Sequence, residues 1–168
     1  RGAMVKKELA HLKSSPMYML NACMGIVFFL IVAAALIIKR DLPEMLFATM
    51  PEAAGQIGVI AVAVLCFAAA TNIISAPSIS LEGKTLWIAQ SMPVRGGDAL
   101  IAKACMHMIV CVPPGLIASA VCAVILKTNA VQTVLMFLSP AVMTVFSALF
   151  GVTVNLHFPK FDWINETV

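Results

Sequence analysis

The chain has 168 residues, of which 61% are hydrophobic and 11% are charged, and its mean hydropathy is +0.99. Soluble domains carry about 25% charged residues, so this composition excludes a water-soluble globule and indicates an integral membrane protein. The net charge of +3 is too small and too dispersed for a nucleic-acid-binding protein.

The first 16 residues are short, basic and amphipathic. Apolar side chains recur there at helical spacing with lysines between them, which predicts a helix lying in the headgroup plane. A plain basic tail is the alternative interpretation. The apolar run that follows is too long for the ~7–15 residues of a signal-peptide h-region, so we expect a membrane anchor and no cleaved leader.

Four apolar runs predict an all-α, polytopic membrane protein. The expected transmembrane helices cover about residues 17–38, 57–76, 99–126 and 130–156 of a single transmembrane domain. At 1.5 Å per residue, ~20 residues cross the ~30 Å hydrocarbon layer. Prolines inside the third and fourth runs predict kinks, because each removes a backbone donor and distorts the preceding turn. These kink candidates are Pro113, Pro114 and Pro140.

The loop between the second and third predicted spans, residues 77–98, contains the polar segment 78–94. A charged segment of this length cannot lie in hydrocarbon, so it must lie at a membrane surface. Trp87 suits the interface, where an indole is half-wet. From the residues alone, an ordinary turn and an ordinary interfacial tryptophan are the favoured interpretation.

Basic residues near the span ends predict the orientation. One side holds Arg1, Lys6, Lys7, Lys13, Lys84, Arg95, Lys103 and Lys160, and the other holds Lys39, Arg40 and Lys127. This asymmetry predicts a multi-pass protein of the plasma membrane whose termini and 78–94 segment face the cytoplasm.

Sequence patterns of catalysis are missing from the chain. It has no His-Glu-x-x-His, Gly-x-Ser-x-Gly or phosphate-binding loop, and no acidic residue in the core of a predicted span. The cysteines favour apolar packing over a metal site or disulfides. We interpret His107 as a packed side chain, with a metal-ligand or proton-relay role as the alternative. We therefore expect no enzyme activity, cofactor or metal in this chain. If the protein does work on a substrate, we expect another protein to supply the energy.

Two motifs resemble the permease subunits of type-2 ABC transporters. Residues 80–94 are similar to the pattern Ser-x-Glu-Gly-Lys-x-x-Trp-x-x-x-Ser-Leu-Pro-Val, with Met92 in place of the commoner leucine. Residues 155–166 are similar to Asn-Leu-x-Phe-Pro-Lys-x-Asp-Trp-x-Asn-Glu. Such permeases usually have six or more spans, so the resemblance implies that this chain is a fragment, incomplete at its C-terminus, of a longer bacterial permease.

The resemblance implies the transmembrane subunit of an exporter, with residues 78–94 as the coupling element for a cytoplasmic ABC ATPase. In this reading, residues 85–90 form a short helix along the membrane surface, anchored by Trp87. That partner would bind ATP, and the remaining permease spans or a second permease copy would complete the membrane domain. The implied ATPase-interface residues are Glu82, Gly83, Lys84, Trp87 and Pro93. Two alternatives stay open: a scaffold or assembly subunit without a translocation path, and part of an intramembrane enzyme whose catalytic residues lie outside this segment.

Overall fold

The architecture comes from a computed structural model that describes residues 2–49, 55–91 and 93–161. All regular structure in these ranges is helical. The elements are α1 (Gly2–Ser14), α2 (Pro16–Ala22), α3 (Met24–Ile38), α4 (Leu42–Thr49), α5 (Ile57–Ala70), a 3₁₀ helix (Ser80–Thr85), α6 (Leu86–Ser91), α7 (Gly96–Ile125) and α8 (Ala130–His157).

Helices α3, α5, α7 and α8 pack together around one apolar core, and α1 packs along α7. Small residues permit this close packing, as expected for helices in lipid. At Gly115, an added Cβ would lie only 3.3 Å from the ring of Phe29. The largest core side chains are Phe29, Leu65 and Met136. Many large apolar side chains point away from this core, which suits a lipid environment.

The four-span prediction is only partly confirmed. Helices α7 and α8, with 30 and 28 residues, are long and apolar enough to cross a membrane. Helices α2 and α3 together would make a third span, but they are bent by 59° at a break. Helix α5 has 14 residues, about 21 Å at 1.5 Å per residue, and is shorter than the hydrocarbon layer. By length and composition, the described residues hold two spans, or three with the bent pair.

Hydrogen bonds join the break between α2 and α3, in the first predicted span, to the residues that follow α5, in the second. The backbone N–H of Ile73 donates to the carbonyl of Ala22 at 3.0 Å. The side chain of Asn72 accepts from the N–H of Ile26 at 3.1 Å and donates to the carbonyl of Ala68 at 3.1 Å. The second predicted span therefore ends at Ala70 and not at residue 76, because Asn72 turns back to bond the last carbonyls of its own helix.

The prolines do not interrupt the helices that contain them. Helix α7 is continuous through Pro113 and Pro114. In α8, Pro140 cannot donate to the carbonyl of Met136, and the hydroxyl of Ser119 in α7 donates to that carbonyl at 2.7 Å. A neighbouring hydroxyl thus replaces the lost backbone bond, as membrane helices require. The kinks at Pro113, Pro114 and Pro140 stay a prediction.

Candidate functional site

Residues 71–79 form an irregular, buried segment between α5 and the 3₁₀ helix. Ile74 and Ser75 are fully buried, so their backbone groups need partners from the protein. The hydroxyl of Tyr18 in α2 donates to the carbonyl of Ile74. The N–H of Ser75 donates to Nδ1 of His107 in α7 at 3.3 Å. Side chains from the surrounding helices therefore hold this non-helical backbone in place.

His107 serves as an acceptor for this segment. Because Nδ1 accepts from the backbone of Ser75, the neutral imidazole carries its proton on Nε2. The Ser75 hydroxyl lies 3.0 Å from the same Nδ1. Within the described residues Nε2 has no hydrogen-bond partner, and no group of three or more His, Cys, Asp or Glu side chains is placed to hold a metal ion.

Lys103 is the centre of an ion-pair cluster at the start of α7. Its Nζ lies 3.0 Å from Oε2 of Glu8 in α1 and 2.9 Å from Oε1 of Glu82 in the 3₁₀ helix. It also donates to the carbonyl of Ser78 at 2.9 Å. The lysine side chain is only 4% exposed. A buried ammonium needs such compensation, and the result joins α1, residues 71–79 and the 3₁₀ helix to α7.

Glu82 receives a second cation, because Nζ of Lys7 lies 3.1 Å from the same Oε1. Burial by itself raises the pKa of the Glu82 carboxyl, but the ammonium groups of Lys103 and Lys7 outweigh it and hold the pKa below its usual range. Lys7, Lys103, Glu8 and Glu82 thus form a charge-balanced cluster, called the lysine–glutamate cluster below. Glu82 is therefore paired within the chain, and its contact with an ATPase stays a prediction.

Asn155 of α8 fixes the other side of the loop. Its Oδ1 accepts from the backbone N–H groups of Ile79 and Ser80 at 2.7 and 2.9 Å. Its Nδ2 donates to the Ser80 hydroxyl at 2.6 Å, and that hydroxyl oxygen also accepts from the N–H of Lys160 at 2.9 Å. The asparagine therefore caps the 3₁₀ helix and ties it to the end of α8.

Gly83 and Trp87 complete the loop. Gly83 has φ = 44° and ψ = −120°, a backbone conformation that favours glycine, and it lets the chain turn from the 3₁₀ helix into α6. Helix α6, although short, is where residues 85–90 were expected to be helical. Trp87 points outward with 66% of its surface exposed. A loop anchored on its inner face therefore presents a large aromatic side chain on its outer face.

A sequence profile of the family described as "Membrane protein of 12 TMs" matches residues 42–167, three-quarters of the chain. The chain belongs to this family. No curated protein and no solved structure matches the chain significantly. The match establishes a multi-span membrane protein of the 12-span family. The narrower resemblance to type-2 ABC permeases stays a proposal.

In this member of the 12-span family, two groups of paired charges lie at opposite ends of α7. The lysine–glutamate cluster lies at the start of α7, on the side of the molecule where the N–H of Lys160 donates to the Ser80 hydroxyl. Lys127 follows the end of α7, where its Nζ lies 3.8 Å from Oε1 of Glu44.

The predicted interface residues have different surroundings in the structure. Trp87 and Pro93 are exposed, Glu82 is paired, and Gly83 has a conformational role. The side chain of Lys84 and residues 162–166 of the second motif lie outside the described part of the structure. Contact of these residues with an ATPase stays a prediction.

Sequence reasoning missed the residues that anchor the loop. In the sequence, Glu8 is one of the charged residues between the apolar positions of α1, and Lys103 indicates only the orientation. The detectable signal was a lysine two turns into an apolar helix, since a charge at that depth requires a partner. Asn155 lies inside the second motif, but its capping role has no signal in the local sequence.

Proposed function

We propose that this chain is part of the permease of an ATP-driven ABC exporter, and that a separate cytoplasmic ATPase drives it through residues 78–94. The observation that carries the proposal is the anchoring of this loop. Its inner face is bonded to α1, α7 and α8, while Trp87 is exposed on its outer face. Membership of a multi-span family supports the proposal at the level of a membrane protein.

The mechanism follows from these bonds. An ATPase dimer that closes on ATP would push on α6 through contacts around Trp87. Charge-assisted hydrogen bonds contribute about 1.5–3 kcal/mol each and neutral ones about 0.5–1.5 kcal/mol. The lysine–glutamate cluster would therefore carry the displacement to α1 and α7, and the neutral bonds of Asn155 would carry it to α8. The two states would differ in these contacts, as a ligand-driven rearrangement requires. In this proposal the partner binds the nucleotide, and this chain performs no catalysis.

The first test is partner association. We expect Trp87→Ala to reduce copurification of a nucleotide-hydrolysing subunit from native membranes by about tenfold or more, because exposed tryptophans are frequent interface hot spots worth about 2 kcal/mol or more. Trp87 is a cleaner target than Glu82, whose replacement would also break the lysine–glutamate cluster. The matched control is Met45→Ala, which removes an apolar side chain that is 68% exposed on α4.

Quantitative mass spectrometry of the purified complexes would measure this ratio, with membrane insertion checked by fractionation. Equal amounts of ATPase subunit in the Trp87→Ala and Met45→Ala samples would contradict the docking assignment. Absence of any such subunit from the wild-type sample would instead favour a scaffold or assembly role.

The second test is orientation. In a cysteine-free background, we expect Ser91→Cys to react with an impermeant maleimide only from the cytoplasmic side and Glu44→Cys only from outside. The physical reason is the excess of basic residues on the loop side. Labelling in sealed membrane vesicles of known orientation would measure this. The reverse pattern would place residues 78–94 out of reach of a cytoplasmic ATPase.

A further inference from the structure

A second candidate site lies at the opposite end of α7 from the lysine–glutamate cluster. A crevice of about 760 Å³ opens there between the end of α3, the start of α4 and the end of α7. This volume falls within the ~300–1,000 Å³ typical of ligand sites. It is independent of the proposed coupling to an ATPase, because none of the loop residues line it.

The floor of the crevice is apolar and opens toward lipid. Ile37 of α3 and Val124 of α7 line it with exposed fractions of 47% and 76%. Val121 and Ile125 extend this surface along α7. Because α3 and α7 both end close to the rim, we expect the floor at the depth of the first acyl carbons and the rim at the headgroup level.

The rim carries two cations and two anions: Arg40, Lys127, Asp41 and Glu44. Lys127 and Glu44 form one ion pair at 3.8 Å, and their side chains are 82% and 75% exposed. Among the described residues, the Arg40 guanidinium and the Asp41 carboxylate have no ion-pair or hydrogen-bond partner. One cation and one anion are therefore available, next to each other, above an apolar floor.

We propose that this crevice binds a zwitterionic phospholipid. The guanidinium of Arg40 suits the lipid phosphate, because its planar donor set binds phosphate oxygens in pairs. The carboxylate of Asp41 suits a primary ammonium, and an acyl chain lies along Ile37 and Val124. Because the rim has no net charge, it favours a headgroup with both charges over an anionic one.

The test uses the full chain, purified in detergent, stripped of lipid and incubated with vesicles of equal phosphatidylethanolamine and phosphatidylglycerol with the same acyl chains. Native mass spectrometry then counts the lipid retained. We expect the wild type to retain phosphatidylethanolamine. Arg40→Gln should retain about tenfold less, since a charge-assisted contact of about 1.5–3 kcal/mol corresponds to tenfold or more in affinity.

Two further variants separate the contributions of charge and shape. Lys39→Gln removes the neighbouring cation, which does not line the crevice, and should retain lipid as the wild type does. Val124→Trp fills the floor without changing charge and should reduce retention as strongly as Arg40→Gln.

Three results would overturn the proposal. The first is that Arg40→Gln and Lys39→Gln retain equal amounts of lipid. The second is that the wild type prefers phosphatidylglycerol. The third is that the wild type retains no lipid and that copies of Val124→Cys form disulfide cross-links with each other. The last result would identify the crevice as a contact between helices of two copies.

Discussion

Lys103→Met is expected to lower the free energy of unfolding by about 3–5 kcal/mol, the usual cost of removing one partner from a buried ion pair. The substitution removes the buried counter-charge of the Glu8 and Glu82 carboxylates, which are 8% and 10% exposed, and leaves them beside the half-exposed Lys7. The carbonyl of Ser78 also loses its donor. Unfolding in mixed detergent micelles, followed by tryptophan fluorescence, measures the change.

Lys127→Met is the matched control. It removes a lysine whose one ion pair is 3.8 Å long and exposed, and such pairs contribute about 0–1 kcal/mol. The triple variant Glu8→Gln, Glu82→Gln, Lys103→Met should recover much of the loss, because it leaves no uncompensated buried charge. If Lys103→Met unfolds with the same free energy as Lys127→Met, the cluster does not hold the loop on α7.

Gly25→Ala is expected to destabilise the fold by about 1–3 kcal/mol through overpacking. A Cβ at this position would press against the carbonyl oxygen of Ala68, a backbone atom, and would lie 2.7 Å from Cγ of Asn72. Since backbone cannot rotate away, α3 and α5 would separate and the bond from Ile26 to Asn72 would weaken. Unfolding in mixed micelles measures the loss, and faster amide exchange at Ile26 would locate it.

Gly97→Ala is the control for Gly25→Ala. It makes the same chemical change at a helical glycine where an added Cβ meets nothing within 4 Å, so we expect no destabilisation. Equal unfolding free energies for the two variants would contradict the close contact between α3 and α5.

The sequence predicts that the fold is helical and that the helices lie in the apolar runs, because hydropathy and residue spacing determine both. Helices α7 and α8 match the third and fourth predicted spans within a few residues. The second span is predicted too long because Ile73 and Ile74 continue the apolar run after Asn72. The two isoleucines extend the hydropathic run, but the helix ends before them because Asn72 forms hydrogen bonds with Ala68 and Ile26.

The candidate site is harder to predict, because its contacts join residues far apart in the chain. The pattern around Glu82 indicates a surface loop, and Trp87 is exposed as an interface residue should be. However, the partners of Glu82 come from α1 and α7, and no local pattern pairs Glu8 with Lys103. Gly83 was interpreted as part of an interface motif, but its positive φ gives it a conformational role that only the backbone reveals.

Photo-cross-linking from position 87 tests the central proposal most directly. A photoreactive amino acid at Trp87, with the same group at Met45 as control, would be activated in native membranes with and without ATP. We predict an ATP-dependent adduct with a nucleotide-hydrolysing protein from position 87 and none from position 45. Adducts with lipid alone from position 87 would show that Trp87 is an ordinary interfacial side chain, and they would contradict a coupling role for residues 78–94.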